Sequence, residues 1–408
     1  MRSEKGSAVY RARWIIPVAG PPIENGRLEV VDGCIASVQR ASGPGGDALD
    51  LGDVAVLPGL VNAHTHLQLT FCRGRVPYRG SFTQWIRDLA SPARQDLPGS
   101  PETAIEAGLR ESLQAGVVAV ADIGHGRAAA ECWRRAPLAV IGFHEVLGIG
   151  PRARQDHERS FEAAARVCEK ASSTPAPPTF GIGLSPHAPY STDPAVYRQA
   201  IAFCRRTGRP ICTHLAETSE EWQFLADATG PFRELLEEWG LWDGSFESPG
   251  CSPVSYAHRL GLLACRPLLA HVNYASDEDL DLLAGSGASV AYCPRTHRFF
   301  EHQPHRYAEM LRRGINVCIG TDSLASNETL SVLDELRFLR REDRHLSDEQ
   351  LLTMATLAGA KALGLEDRIG SLSPGKRADF VVVPLDNPAT REPLADVLTS
   401  TRVPSPAP

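Results

Sequence analysis

Several features that mark specialised protein classes are absent from this 408-residue chain. Its ten cysteines are scattered and form no CxxC pair, which argues against a zinc ribbon or a disulfide framework and for reduced thiols. No stretch approaches the roughly 18 consecutive apolar residues of a membrane span. The basic N-terminal segment is not followed by an apolar core, so we expect no signal peptide. These absences predict a cytoplasmic globular protein.

An excess of positive charge is also missing. The formal net charge is −7, which gives no support for binding to nucleic acid or to an anionic membrane. The hydrophobic content of 43% and the charged content of 22% are ordinary for a folded soluble protein. We therefore expect neither nucleic acid nor membrane as a partner.

No early strand is followed by a GxGxxG turn, which argues against a doubly wound sheet. Short β-branched runs instead alternate with segments of helical periodicity. Eight such units predict the α/β class and a (β/α)8 TIM-like barrel of parallel strands. The predicted strands are residues 54–66, 117–123, 138–148, 180–188, 210–217, 268–274, 289–295 and 316–323.

The two ends of the chain differ from this central pattern. Both contain short strands interrupted by glycine and proline, and we predict one small β-sandwich domain built from both chain ends. Residues 1–56 are expected to supply the N-terminal portion of the sandwich, 57–365 the barrel, and 366–408 the C-terminal portion of the sandwich with the tail. The last residues, VPSPAP, are expected to be disordered. An insertion at 229–259 follows the fifth strand and is expected to lie over the site.

Residues that bind metals stand at the ends of four predicted strands. His64 and His66 end the first strand and point to the same side, because strand side chains alternate. His214, His271 and Asp322 end the fifth, sixth and eighth strands, and strand ends converge on one pocket in a barrel. Imidazole and carboxylate groups suit a divalent ion such as Zn²⁺. The HxH pair alone is a weak signal, but the whole set predicts a metal site.

Four motifs carry a resemblance to a known family. PGLVNAHTH, THLAE, LLAHVNY and GTDSLASN resemble the amidohydrolase superfamily, and most closely its branch of cytosine deaminases, chlorohydrolases and nucleoside deaminases. The resemblance covers nearly the whole chain. It implies His64, His66, His214 and Asp322 as ligands of one divalent metal ion, with His271 near the bound water. The fourth strand contains no lysine that could bridge two metals, so a single ion is expected, with Zn²⁺ favoured and Fe²⁺ the alternative.

The expected chemistry is hydrolysis by an activated water. A bound Zn²⁺ lowers the pKa of its water to about 7, which supplies hydroxide at neutral pH. Asp322 is expected to take the proton of that water. Glu217 lies three residues after His214, where this branch places its proton shuttle, and is expected to protonate a ring nitrogen and then leaving ammonia. His271 is expected to orient the hydroxide and to stabilise developing charge.

Other residues are candidates for substrate binding. His187 lies where related nucleoside deaminases use a histidine to contact substrate, and Gln84 stands where relatives that bind a ribose often have Glu. Glu145 and His125 end the third and second strands, where a substrate contact and a structural hydrogen bond are equally compatible with the sequence. Further expectations concern Phe82 and Trp85 (pocket or core), Arg152 and Arg154 (surface or a substrate carboxylate), His297 and Arg298 (specificity), and His157, His258, His302, His305 and His345 (surface).

A narrower resemblance concerns the substrate. GSFTQWI, PHAPYS, THLAETSEEWQFL, CPRTHRFF and GTDSLASNETLSVLDELR most resemble 6-aminodeoxyfutalosine deaminases of the futalosine route to menaquinone. This implies a hydrolase of cyclic amidine C–N bonds that deaminates a small nucleoside-like substrate, 6-aminodeoxyfutalosine, to futalosine and ammonia. The alternatives are deamination of methylthioadenosine or S-adenosylhomocysteine, and guanine deaminase or triazine chlorohydrolase activity. A non-catalytic scaffold is disfavoured because every metal and proton-handling residue is present. Relatives are commonly dimers or larger, so a homodimer is an expectation.

Overall fold

The protein is described here from a computed structural model, which covers residues 6–42, 46–91, 98–150, 161–167, 180–343 and 345–406. Within these ranges its strands form three sheets. In chain order the strands are β1 (Ser7–Ile15), β2 (Ile23–Val31), β3 (Cys34–Arg40), β4 (Leu49–Asp50), β5 (Val54–Pro58), β6 (Leu60–Thr65), β7 (Val117–Gly124), β8 (Ala139–Val146), β9 (Phe180–Pro186), β10 (Cys212–Leu215), β11 (Leu268–His271), β12 (Ser289–Tyr292), β13 (Asn316–Ile319), β14 (Phe380–Pro384) and β15 (Ser405–Pro406).

Two four-stranded parallel sheets carry the predicted site residues. Their strand orders are β6-β7-β8-β9 and β10-β11-β12-β13. Isolated parallel bridges join Leu184 to Ile211 and Thr65 to Asp322, so the two sheets touch at both of their outer edges. Each of the eight predicted segments overlaps one of these strands, which confirms the prediction of parallel strands.

The first predicted strand, 54–66, is two strands rather than one. β5 pairs with β1 and β14, whereas β6 pairs with β7 in a different sheet. Gly59 separates them, and a Cβ atom at this position would lie 2.3 Å from Cγ1 of Val118. Only glycine therefore lets the backbone pass so close to the neighbouring strand. β6 ends at Thr65, so His66 lies just beyond this strand, directly before a 3-10 turn at Leu67–Cys72.

Both ends of the chain contribute to one seven-stranded sheet. Its order is β15-β14-β5-β1-β2-β3, with β4 beside β1. β14 pairs antiparallel with β5, placing Val381 opposite Leu57. A second sheet that would complete the expected sandwich is not found among the described residues. The tail is also more ordered than expected, because Ser405 pairs with Val382.

The helices surround the parallel strands, and many begin at residues that favour a helix start. Ser100 precedes Pro101 in α2 and accepts a hydrogen bond from the N–H of Thr103, as an N-cap does. None of the described helices is both long and apolar enough to cross a membrane. The helices are α1 (Phe82–Ala90), α2 (Pro101–Gln114), α3 (Gly126–Arg135), α4 (Pro194–Thr207), α5 (Ser219–Asp227), α6 (Pro231–Glu238), α7 (Pro253–Arg259), α8 (Asp277–Ala284), α9 (Pro294–Phe299), α10 (Tyr307–Arg312), α11 (Val332–Glu342), α12 (Asp348–Met354), α13 (Leu357–Ala362) and α14 (Pro393–Thr399).

Candidate active site

The histidines predicted at strand ends converge at one end of the two parallel sheets. His66 Nε2 lies 3.0 Å from His214 Nε2, and His64 Nε2 lies 3.6 Å from Asp322 Oδ1. The His271 ring stacks on that of His214 with centroids 5.4 Å apart. One ligand atom from each member of two overlapping triads lies within 4.8 Å of the others. The triads are His64, His214 and His271, and His64, His66 and Asp322.

The protonation and hydrogen bonding of this cluster fit a divalent metal ion. Neither ring nitrogen of His64 has a hydrogen-bond partner among the described residues, nor does Nε2 of His271, although all three atoms are buried. Burial, helped by His64, lowers the pKa of His66 to about 4, so its imidazole is neutral as a metal ligand must be. Burial alone would raise the pKa of Asp322, but the histidines around it hold that pKa below the ordinary value. Neutral imidazoles beside an ionised carboxylate are the donor set that one such ion requires.

Hydrogen bonds behind the cluster orient its members. His214 Nδ1 lies 3.2 Å from the carbonyl oxygen of His187, so Nδ1 donates and Nε2 is left to face the cluster. The backbone N–H of Asp322 donates to the carbonyl of His64 over 3.0 Å. Ser326 Oγ donates to Asp322 Oδ2 over 3.1 Å. The strand ends are thereby tied to one another.

Asp122, on β7, supports His66 and was not foreseen from the sequence. Its buried carboxylate accepts hydrogen bonds from the Leu67 N–H at 2.8 Å, Thr65 Oγ1 at 2.9 Å and Trp133 Nε1 at 2.6 Å. It thus holds the chain on both sides of His66. Burial raises the pKa of Asp122 to about 7, against the lowering effect of these donors. The one available signal was an aspartate inside the apolar run VVAVADI.

Three residues of the site have left-handed backbones although none is glycine. The φ angles are +50° at Ala216, +71° at His271 and +57° at Asp322. Such conformations cost on the order of 1–3 kcal/mol each and persist where surrounding contacts hold them. Gly320 lies against the same cluster, and a Cβ atom there would come within 2.7 Å of His64 Cβ. Backbone strain and close packing therefore concentrate where the predicted ligands meet.

Glu217 is buried beside the cluster of predicted metal ligands. Its Oε1 lies 3.4 Å from His271 Nε2. Burial raises its pKa well above the ordinary value, and the negative charges of Asp322 and Glu221 add to this, which favours the protonated form of the carboxyl group. A neutral carboxyl group can donate that proton.

The peptide groups on either side of Glu217 are held firmly. Glu221 Oε2 accepts from the N–H of Glu217 over 2.9 Å, and Glu221 Oε1 accepts from the N–H of Ala216 over 3.0 Å. Asn273 Nδ2 donates to the Glu217 carbonyl over 2.9 Å. Glu221 and Asn273 were not foreseen. Glu221 follows the N-cap Thr218 of α5 by three residues, and this Thr-x-x-Glu pattern of a helix start is the signal that could have pointed to it.

A cavity of about 910 Å³ opens over the cluster, and three predicted substrate-contact residues line it. His187 Nδ1 lies 2.6 Å from Ser191 Oγ, and its Nε2 lies 4.0 Å from Glu145 Oε1. His125 Nδ1 lies 3.7 Å from Glu145 Oε2. Burial would raise the pKa of Glu145, but His125, His187 and His66 lower it to about 2. These polar groups occupy the side of the cavity next to the cluster.

The other side of the cavity is apolar and includes the inserted segment. Phe82 and Trp85 of α1 face Phe232 and Leu235 of α6, and all four line the cavity. The 229–259 insertion thus covers the site, as expected. No lysine or arginine is found among the described residues that line the cavity. The expected positions Arg152, Arg154 and His157 lie outside the described residues.

Gln84 is the predicted contact that the structure corrects. Its side chain is exposed and donates to Asp88 Oδ1 over 2.9 Å, and it does not line the cavity. The physical reason is the phase of α1, whose apolar residues at spacings of three and four turn toward the cavity and leave Gln84 on another face. Those cavity-facing residues are Phe82, Trp85, Ile86 and Leu89.

The histidines after β12 also lie elsewhere than expected. His297 and Arg298, weighed as specificity residues, line a second cavity instead of the one over the cluster. His302 and His305, expected at the surface, are partly buried in the same region. His258 and His345 are exposed, as expected.

Residues 55–404 match the model of the amidohydrolase family, and the chain belongs to that family. The 5-methylthioadenosine/S-adenosylhomocysteine deaminase of Nitratidesulfovibrio vulgaris (strain DSM 19637 / Miyazaki F) is 32% identical over 380 residues, 90% of this chain and 81% of the relative. An aminofutalosine deaminase from Helicobacter pylori superimposes with a TM-score of 0.81 at 23% identity, covering 97% of each chain. An adenosine deaminase from Xanthomonas campestris with bound zinc gives 0.79 at 24% identity, covering 96% of this chain and 89% of that one. At these identities the two structures show a shared fold.

Proposed function

We propose that this protein is a metal-dependent hydrolytic deaminase of an adenine-type nucleoside. The observation that carries the proposal is the position of the buried Glu217, which lines the cavity with its Oε1 3.4 Å from His271 Nε2, beside the cluster of predicted metal ligands. A deaminase needs a proton donor at this place, because the ring must be protonated as water attacks it. The sequence relative that deaminates adenine nucleosides supports the same reaction.

In the proposed reaction, Asp322 and Glu217 carry out the proton transfers. His64, His66, His214 and Asp322 would hold one divalent ion, which as a Lewis acid would make water nucleophilic at neutral pH. Asp322 accepts the proton of the attacking water, and His271 orients that water and stabilises developing charge. Glu217 donates its proton to N1 of the adenine ring as the water oxygen bonds to C6. Glu217, now ionised, takes the proton of the C6 hydroxyl group and passes it to the amine, which leaves as ammonia as the C6 carbonyl forms. The proton held by Asp322 then returns Glu217 to its starting state.

The cavity supports a substrate with an apolar group beyond the ribose. Its apolar side extends from the polar groups near the cluster to α1 and α6. Methylthioadenosine carries an uncharged thioether, which fits a cavity lining without lysine or arginine among the described residues. The 32% identical relative is a deaminase named for this compound and S-adenosylhomocysteine. We therefore propose a 5′-modified adenine nucleoside, with methylthioadenosine as the first candidate.

The second candidate is 6-aminodeoxyfutalosine. The motif resemblance in GSFTQWI, PHAPYS and CPRTHRFF favours it, and a cavity of about 910 Å³ is wide enough for a large 5′ group. Deamination of this compound would place the protein on the futalosine route to menaquinone.

We also propose the domain arrangement that brings these residues together. The two parallel sheets close into a (β/α)8 barrel spanning about 57–365, supported by the bridges at both edges. Residues 1–56 and 366–408 form the small domain, supported by the sheet that both ends share.

The test is ammonia release by the metal-loaded protein from a panel of amines. The panel holds methylthioadenosine, 6-aminodeoxyfutalosine, S-adenosylhomocysteine, adenosine, guanine and cytosine. We expect kcat/KM to be highest for one of the first two, because contacts remote from the amine set specificity. Silence from every adenine nucleoside with metal bound would contradict the proposal and redirect the search to chlorinated or amide substrates.

A further inference from the structure

The carbonyl group of His271 is held from outside the catalytic cavity. His305 Nε2 lies 2.9 Å from the His271 carbonyl oxygen. A carbonyl oxygen can only accept, so Nε2 of His305 carries the hydrogen and donates it. His305 belongs to the segment between α9 and α10 and lines the second cavity, not the cavity over the metal cluster. His305 therefore contacts the His271 backbone from the second cavity.

The backbone that His305 contacts is in an unusual conformation. His271 has φ +71° and Val272 has φ +52°, so two successive residues other than glycine are left-handed, and the second is β-branched. This conformation is disfavoured and persists only where neighbouring groups hold it. The N–H of Val272 donates to the Leu215 carbonyl over 3.0 Å, which holds the turn from the side of β10. His305 holds the same turn through a second hydrogen bond, which it donates to the His271 carbonyl.

The ring of His305 is itself fixed by aromatic neighbours. It stacks on Tyr292 with centroids 4.2 Å apart and an interplanar angle of 25°, and on Tyr307 at 5.9 Å and 18°. Two separable features are therefore present in one side chain. The ring packs against the two tyrosines, whereas the N–H group holds the backbone of His271.

We propose that His305 is a positioning residue for the reaction, because its hydrogen bond to the His271 carbonyl holds the left-handed turn that directs the His271 imidazole toward Glu217 and the metal cluster. The imidazole depends on that turn for its place, with Nε2 3.4 Å from Glu217 Oε1 and its ring centroid 5.1 Å from that of His64. The catalytic consequence rests on the proposed function, whereas the geometric consequence does not.

Paired variants separate the hydrogen bond from the stacking. His305→Phe keeps a stacked aromatic ring and removes the donor, whereas His305→Gln keeps a donor and removes the ring. We expect kcat of His305→Phe to fall about 10- to 100-fold with KM unchanged, as for other groups that orient active-site histidines, and kcat of His305→Gln to recover most of that loss. His258→Phe is the control, because His258 is exposed, lines neither cavity and should leave kcat at the wild-type value.

A measurement without substrate tests the geometry independently. In the Co²⁺-loaded protein, the visible absorption bands should change in His305→Phe and return in His305→Gln. If thermal unfolding shows that His305→Phe does not fold, His305→Met provides a second side chain without a donor. Wild-type kcat and spectrum in a folded donor-free variant would overturn the proposal, as would equal damage in His305→Gln and His305→Phe. If wild type deaminates no nucleoside, the proposed function fails, while the Co²⁺ spectra still decide the role of His305.

Discussion

The carboxyl group of Glu217 is the proton donor of the proposed reaction, and it must therefore hold a proton at a pH where an exposed glutamate would be ionised. Glu217→Gln keeps the shape of the side chain and removes the transferable proton. We expect kcat to fall about 10²- to 10⁴-fold, the usual contribution of general acid–base catalysis, with metal content unchanged. Steady-state kinetics and metal analysis on the same preparation measure both quantities.

The neighbouring Glu220 provides the control for this change. It lies in the same acidic run, is partly exposed, and accepts a hydrogen bond from Ser219. Glu220→Gln should keep wild-type kcat. Full activity in Glu217→Gln would sink the proton-donor role while leaving the metal site in place.

Substitution of His64, the most buried of the predicted ligands, tests the metal site. We expect His64→Ala to bind less than one ion per chain and to lose deaminase activity, since both triads of the cluster share this residue. Atomic absorption of protein dialysed against Zn²⁺ gives the stoichiometry. The exposed His258 serves as reference, and His258→Ala should bind metal as wild type does. Undiminished metal content in His64→Ala would contradict the predicted ligand set.

The sequence predicted the proximity of residues whose position along a strand determines their neighbours. His64, His214 and Asp322 each end an apolar run, and parallel strand ends must converge. The roles of Asp122 and His305 escaped prediction because their partners, which include the Leu67 N–H and the His271 carbonyl, lie in other segments that only tertiary folding brings close. No periodicity marks such a contact. Gln84 was misplaced for a different reason, since the apolar stripe of its helix already excluded it from the cavity face.

At the scale of elements, the junction between β5 and β6 depends on the missing side chain of Gly59. We expect Gly59→Ala to lower the free energy of unfolding by about 1–3 kcal/mol, the usual effect of overpacking, because its Cβ would overlap Val118. Urea denaturation measures this. Adding Val118→Ala should restore some of the loss, and Gly20→Ala, where a Cβ meets nothing within 4 Å, should have little effect. An equal loss at both glycines would argue against the packing explanation.

A substitution in α6 tests whether the apolar side of the cavity binds the 5′ group of the substrate. Phe232 stacks on Tyr190 with centroids 3.9 Å apart and lines the cavity. We expect Phe232→Ala to lower kcat/KM for methylthioadenosine about 10-fold more than for adenosine, because an apolar contact of this kind is worth about 1–3 kcal/mol in specificity. Comparing two substrates on one variant cancels any loss of folded protein. Equal losses for the two nucleosides would place the 5′ group elsewhere.

The elements themselves were largely predictable because apolar periodicity reports which residues face the core. The single strand expected at 54–66 was wrong because that apolar run crosses from one sheet to another, and both halves are buried. A continuous run of buried residues looks alike in the sequence whether or not it changes sheets.

At the scale of the whole molecule, the C-terminal residues complete the core. Val381, Val383, Val397 and Leu398 are buried in the main apolar cluster, although they lie at the far end of the chain. We expect a chain ending at residue 379 to lose cooperative unfolding, because β5 would lose its antiparallel partner and the cluster would lose some of its packing. Differential scanning calorimetry measures the transition.

A shorter truncation is the reference for this experiment. Ending the chain at residue 404 removes the two-residue strand β15 and leaves β14 in place. We expect this chain to unfold cooperatively, with a small decrease in Tm. A cooperative transition in the chain that ends at 379 would show that the first strands do not need the last ones.

The sheet shared by both chain ends also has a consequence for biosynthesis. β5 ends at residue 58, and the strand that covers its edge begins at residue 380. With translation at about 5–20 residues per second, the first strands leave the ribosome tens of seconds before their partner exists. During that interval β5 presents an unpaired hydrogen-bonding edge of apolar residues, the kind of surface that recruits other chains. This sheet therefore cannot close until residues 380–384 have been synthesised, and we expect the N-terminal strands of the nascent chain to need protection during that interval.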